Sequence, residues 1–78
     1  MKTTRYFQTT RQRPDREVIR DEWIQFVVQC PESEHIQADG RMRRWAKIAE
    51  MEDRYLRVIV LADGETIHNA FFDRGFRP

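Results

Sequence analysis

Two Asp-Gly pairs, Asp39-Gly40 and Asp63-Gly64, constrain this chain more than any other feature. Asp-Gly between apolar runs marks a tight hairpin, because a type I′ turn needs positive φ at both central residues. The segments around them read as a β-meander that begins after Pro31. Arg41 to Glu50 and Tyr55 to Ala62 are strands joined by a short loop at Met51-Glu52-Asp53, and Glu65 to Asp73 is the last strand. Tyr55-Leu56-Arg57-Val58-Ile59-Val60-Leu61, rich in β-branched and aliphatic residues, is the central one.

A helix is expected before the meander. Ile19, Trp23, Phe26, Val27 and Cys30 recur at the spacing of one α-helical face. Asp21 and Glu22 suit the positive end of the helix dipole, and Asp21 could instead cap a helix that begins at Glu22. Pro31 stops it near Gln29 or Cys30. Arg11 to Arg16, with Pro14, reads as a turn, and Thr3 to Thr10 as a short strand or extended arm. The expectation is a single α+β domain over residues 1–78. One main helix packs on a three- to four-stranded antiparallel meander, with residues 1–12 as an N-terminal strand or arm and 74–78 as a tail.

Folding the meander on paper sorts its side chains. A two-residue loop at Asp63-Gly64 sets Val60 opposite Ile67, Leu56 opposite Phe71 and Arg54 opposite Asp73. A three-residue loop at Met51 sets Ile48 opposite Leu56 and Lys47 opposite Arg57. One face then collects Ala46, Ile48, Leu56, Val58, Val60, Ile67 and Phe71, interrupted by Asn69 and Arg44, and belongs under the helix. The other collects Arg43, Trp45, Lys47, Tyr55, Arg57, Ile59, Leu61, His68 and Phe72. A one-residue change in the Met51 loop would exchange the faces of residues 41–49.

Basic groups interleaved with rings on a sheet surface supply what a single-stranded nucleic acid needs: charge for phosphates and stacking for bases. Arg43, Trp45 and Lys47 are the candidate nucleic-acid contacts. His68, Arg57 and Tyr55 are the candidate catalytic set, because metal-free RNA cleavage requires proton transfer and a steadied phosphate. The same face could instead bury itself against a second subunit. His35 is expected in solvent, Cys30 as a buried thiol, and Arg54 with Asp73 as a strand-end ion pair.

Charge placement decides whether a polyanion is a sensible partner. The net charge is +1, with Lys+Arg 14 against Asp+Glu 13, which argues against a histone-like polycation. Yet residues 1–20 carry +4, residues 21–40 carry −5 and residues 41–48 carry +4. Twelve of the 14 basic residues are arginine, whose planar fork suits phosphates, carboxylates and aromatic faces; an Arg-rich codon usage would give the same bias. A lone cysteine leaves no intramolecular disulfide, and no Cys/His spacing suits zinc. Three isolated glycines make no phosphate-cradling loop. No signal peptide or membrane span is apparent, so a cytoplasmic protein without metal or cofactor is expected.

The run Arg13-Pro14-Asp15-Arg16, with Ile19, Trp23-Ile24, Val27 and Pro31, resembles the opening of a family of small bacterial proteins of unknown function. Their pattern continues with a basic strand, a valine-rich strand and a closing strand, here Asp39 to Trp45, Tyr55 to Val60 and Thr66 to Arg74. This order is also similar to RelE and BrnT-like toxins of type II toxin–antitoxin pairs. The resemblance spans about residues 13 to 74. It implies a RelE-like α+β fold, an mRNA endoribonuclease and an antitoxin-like protein partner. It transfers no catalytic residues; those named above come from the shared face. The leading expectation is therefore a toxin-like RNA-binding protein, with metal-independent endoribonuclease activity left open. The alternative is a non-catalytic interaction or homodimerisation module.

Overall fold

The computed structural model describes the whole chain, Met1–Pro78. Its elements run α1 (Arg5–Thr10), α2 (Pro14–Glu17), α3 (Asp21–Gln29), β1 (Ser33–Ile36), β2 (Met42–Ile48), a 3-10 turn (Ala49–Met51), β3 (Arg54–Val60) and β4 (Ile67–Phe72). The strands form one antiparallel sheet in the order β1-β2-β3-β4. The fold is α+β, with a four-stranded meander. No helix is long and apolar enough to cross a membrane.

The core lies between the helices and one sheet face. Trp23, Ile24 and Val27 of α3 and Phe7 of α1 are buried against Ala46, Ile48, Leu56, Val58, Val60, Ile67 and Ala70. The helical stripe is thus Trp23, Ile24 and Val27. Phe26 and Cys30, expected on it, are exposed, because the sheet meets α3 on the Ile24 side. Ile19 is buried from the turn that precedes α3.

The expected N-terminal strand is a helix, α1, held on a short strand-like lead. Thr4 caps it, its Oγ1 accepting the Phe7 N–H at 3.1 Å. Phe7 and Thr10, three residues apart, then face the core, so capping and burial outweigh the strand preference of Thr and Tyr. Ahead of the cap, Thr4 N–H donates to Ile67 O, Ile67 N–H donates to Lys2 O, and Thr3 makes a parallel bridge with Ile67. The start of the outer edge of β4, at Ile67, is thereby covered.

Both Asp-Gly pairs close hairpins, but with loops longer than two residues, and only the glycines take positive φ, so neither is the expected type I′ turn. Gln37 N–H donates to Arg41 O, enclosing Ala38, Asp39 and Gly40, with Gly40 at φ +90. Leu61 N–H donates to Thr66 O around residues 62–65, so Val60 still meets Ile67 as expected. Asp63 pins this loop by accepting from Thr66 Oγ1 and from the Thr66 and Glu65 amides. Chiefly through those bonds its pKa falls from 3.8 to about 2.

Two registers differ from expectation, with opposite consequences. The β2–β3 connection is longer than three residues because Glu52 and Asp53 both adopt left-handed backbone after the 3-10 turn. Ile48 therefore meets Arg54 rather than Leu56, and Lys47 meets Tyr55 rather than Arg57. That displacement is two residues, and because side chains alternate with period two, every face survives it. In β4 a bulge leaves His68 extra, so Val60 pairs Ile67 but Ile59 pairs Asn69 and Arg57 pairs Phe71. This one-residue slip exchanges faces. Phe72, not Phe71, packs with the core, edge-on to Trp23 at 6.3 Å, and Asn69 leaves the core face.

Candidate functional site

The sheet face opposite the helices carries the candidate site. Alternation along β2 puts Arg43, Trp45 and Lys47 on it, and continues to Arg41 just ahead of the strand. Their cross-strand partners Ile59, Arg57 and Tyr55 follow from β3, and Asn69 and Phe71 from β4. Of the six site residues expected from sequence, Arg43, Trp45, Lys47, Tyr55 and Arg57 thus share one surface. His68 sits apart from the Tyr55 end.

Trp45 is no open stacking platform. It is 7% exposed, its ring lies against Phe76 at 4.7 Å, and its Nε1–H donates to Asp73 Oδ2 at 3.0 Å. Phe76 also meets Tyr55 at 4.9 Å. The expected tail is therefore a clamp: Gly75 N–H donates to Asp73 Oδ1, and the chain folds back over Trp45 and Tyr55. Arg57 lies over both the Trp45 and Phe71 rings, with NH1 3.5 Å from Asp73 Oδ2. Asp73 is thus the partner of Arg57 rather than of Arg54, whose guanidinium lies over Phe72 at 4.6 Å. The β4 bulge moved that pairing.

Burial pushes the Asp73 pKa up. The Trp45 indole N–H, the Gly75 amide and the Arg57 guanidinium outweigh it and leave the carboxyl below its ordinary 3.8.

Arg16 joins the face from α2. Its NH1 donates to Asn69 Oδ1 at 2.7 Å and its guanidinium lies 5.1 Å from the Phe71 ring, so Phe71 has an arginine from each of two elements against it. The Nε atoms of Arg16, Arg43 and Arg57 are all buried and make no hydrogen bond, that of Arg16 standing 3.5 Å from Asp15 Oδ2. The Arg43 guanidinium and the Lys47 ammonium have no carboxylate within 4.0 Å, although Glu32 Oε2 accepts the Lys47 amide N–H at 2.8 Å, and Arg41 has only the exposed Asp39, at 3.6 Å. The unpaired side-chain charges of Arg43 and Lys47 are what this face offers a phosphate chain; the buried Nε atoms are out of its reach.

The bulge aims His68 at the N-terminal segment. Its Nδ1 shares a 3.1 Å hydrogen bond with Thr4 Oγ1, and Tyr6 stacks on it at 4.8 Å. Tyr55 lies four to five residues away along β3, about 15 Å at ~3.4 Å per residue. Tyr55 OH is directed instead at Glu32 Oε1, 3.4 Å away. His68, Arg57 and Tyr55 therefore do not converge on one reacting atom.

Partial burial, then the nearby Arg41 charge, holds the His68 pKa below 6.5. A proton resonance titration of the ring should give a midpoint under that value; one at or above it would contradict the environment described. Because the folded form resists the proton, the stability contribution is complete above the unfolded pKa and declines as pH falls through it toward the folded value. His68→Gln should remove that part of the acid-side loss.

Arg16, Asn69, Phe71, Asp73 and Phe76 were not anticipated as site residues. Asn69 offered a signal: an Asn interrupting a core-facing row is costly to bury, and a bulge relieves it. No group of three or more His, Cys, Asp or Glu side chains is placed to hold a metal ion. Comparison with family models, with curated proteins and with solved structures found no match to this chain.

Proposed function

We propose that this chain is a small RNA-binding protein, of the kind its resemblance to RelE and BrnT-like toxins implies, that holds single-stranded RNA on the helix-free sheet face. One observation carries the reading: Arg41, just ahead of β2, and Arg43 and Lys47 within it stand at alternating positions on that face, and neither the Arg43 guanidinium nor the Lys47 ammonium has a carboxylate within 4.0 Å. Arg57 is already engaged by Asp73 and backs the surface rather than meeting phosphates. Exposed Tyr6, beside His68, supplies a ring at the β4 margin.

The separation of His68 from Tyr55 favours binding over cleavage. The aromatic interface alternative is weakened because Phe76 already covers Trp45 within the same chain. A protein partner of antitoxin type belongs to this reading only through the resemblance.

Fluorescence anisotropy with a labelled 12-nucleotide RNA tests it. Three phosphate contacts at a slope near −0.7 each predict a loss of affinity of about twentyfold between 50 and 200 mM salt. Arg43→Ala combined with Lys47→Ala should flatten that salt dependence while the circular dichroism spectrum is unchanged. Absence of binding at 50 mM salt, or binding indifferent to both substitutions, would sink the proposal. The strand should be recovered intact; fragments that vanish with His68→Ala would restore the nuclease.

A further inference from the structure

We propose that the cleft at the end of the sheet where β3 begins and β4 ends binds a nucleotide through its phosphate monoester and base. A cavity of about 270 Å³ opens there, lined by Tyr55, Phe72 and Phe76 and by Arg54, Arg74 and Arg77. None of those three guanidinium groups has a carboxylate within 4.0 Å. The one acid in the lining, Asp73, is committed to Trp45, Gly75 and Arg57. A second hollow, of about 490 Å³, shares the wall of Arg54, Phe72 and Arg74 and adds Arg16, which is paired with Asp15 at 3.5 Å; Arg54 and Arg74 stay without a counter-ion there too.

Like charges gathered without a counter-ion repel one another, and a bound dianion relieves that repulsion. Guanidinium forks match phosphate oxygens in a bidentate manner. The aromatic lining is what separates a nucleotide from inorganic phosphate or an acidic peptide: only the nucleotide carries a base to lie on those rings. The larger hollow falls within the usual volume of small-ligand sites and the smaller one just below it. Arg54, its Cζ 4.6 Å from the Phe72 ring centre and its Nε donating to Met51 O, is already oriented. Arg74 and Arg77 are exposed and lie beyond the last strand, so they can close on a ligand.

Tyr55 is common to this cleft and to the helix-free face, so a strand of RNA laid along that face would bring its terminal phosphate here. The oligonucleotide arm of the test rests on the RNA reading; the mononucleotide arm does not.

Calorimetric titrations with UMP, AMP, uridine and inorganic phosphate provide the test, followed by RNA hexamers with and without a terminal phosphate. The mononucleotides are expected to bind at least tenfold more tightly than uridine or phosphate alone. Arg74→Ala combined with Arg77→Ala, which leaves the core intact, should weaken them tenfold or more. A terminal phosphate should improve hexamer affinity about fivefold; mononucleotide binding without that gain assigns the cleft to free nucleotides. Binding of UMP no tighter than inorganic phosphate, or weaker than a short polyglutamate peptide, would overturn the proposal. Hexamers that bind where mononucleotides fail would remove the cleft while keeping the RNA face; the reverse result would remove the RNA face and keep the cleft.

Discussion

Asp73→Ala is expected to lower the stability of this protein by about 3 kcal/mol, against a total of about 4–12 kcal/mol at 0.05–0.15 kcal/mol per residue. Asp73 Oδ2 accepts the indole N–H of Trp45, a residue only 7% exposed, and stands 3.5 Å from the half-buried Arg57. Truncation leaves a buried donor and a half-buried cation without their acceptor, and hydrogen bonds to a charged group contribute about 1.5–3 kcal/mol each. The Gly75 bond that starts the C-terminal clamp is lost with them. Asp73→Asn keeps an acceptor for Trp45 but not the charge, so it should cost roughly half as much. Urea denaturation of both variants checks the order; a loss below about 0.5 kcal/mol for Asp73→Ala would refute the clamp as described.

The same carboxylate sets part of the acid response. Its folded pKa lies below 3.8, so its contribution is fully present above the unfolded value and is lost as pH falls through the folded one. Acid denaturation of Asp73→Asn should therefore be shallower on that limb than in the parent.

Leu56→Ala should be comparably damaging, by about 2–5 kcal/mol. Leu56 is fully buried in β3, a strand paired on both sides, with Ala46 and Phe72 as its cross-strand partners beneath α3. Neither small Ala46 nor the sheet backbone can collapse into the space, so most of the cavity should persist. Thermal and urea unfolding should both register the loss, with the urea m-value unchanged. Ile36→Ala, on an edge strand and 62% exposed, is the contrast: it should change stability by less than about 0.5 kcal/mol. Similar effects at the two positions would mean that the core is not where the burial places it.

Much of this architecture is legible in the amino-acid sequence. Pro31 stops a helix because it lacks the donor and its ring clashes with the preceding turn. The valine-rich run at Tyr55–Leu61 needs two covered faces or two flanking strands, and it has both neighbours. Positive φ at Gly40 and Gly64 closes both hairpins, whatever their loop length. The grouping of Arg43, Trp45, Lys47, Tyr55 and Arg57 on one surface followed from period-two alternation, and it survived a register error because that error was even.

The parts that were not legible share a physical origin. α1 was misread because strand propensity is weak against a Thr4 cap and the burial of Phe7, which only the finished core supplies. Cys30 and Phe26 fit the helical period, but period alone does not say which flank of the stripe the sheet will touch.

Composition and pattern thus determined an α+β chain with a basic, aromatic-bearing sheet face. The His68 bulge was decided by tertiary structure. It releases Asn69 from the core and brings Phe71 between Arg16 and Arg57, elements far apart in the chain. Tertiary structure also decided that Trp45 is covered, since Phe76 returns to it only after Asp73 has been placed beside Arg57. Local sequence fixes the alternation of side chains along a strand. Which strand neighbours which residue, and so which charges and rings meet, depends on the lowest-energy packing of all of them together.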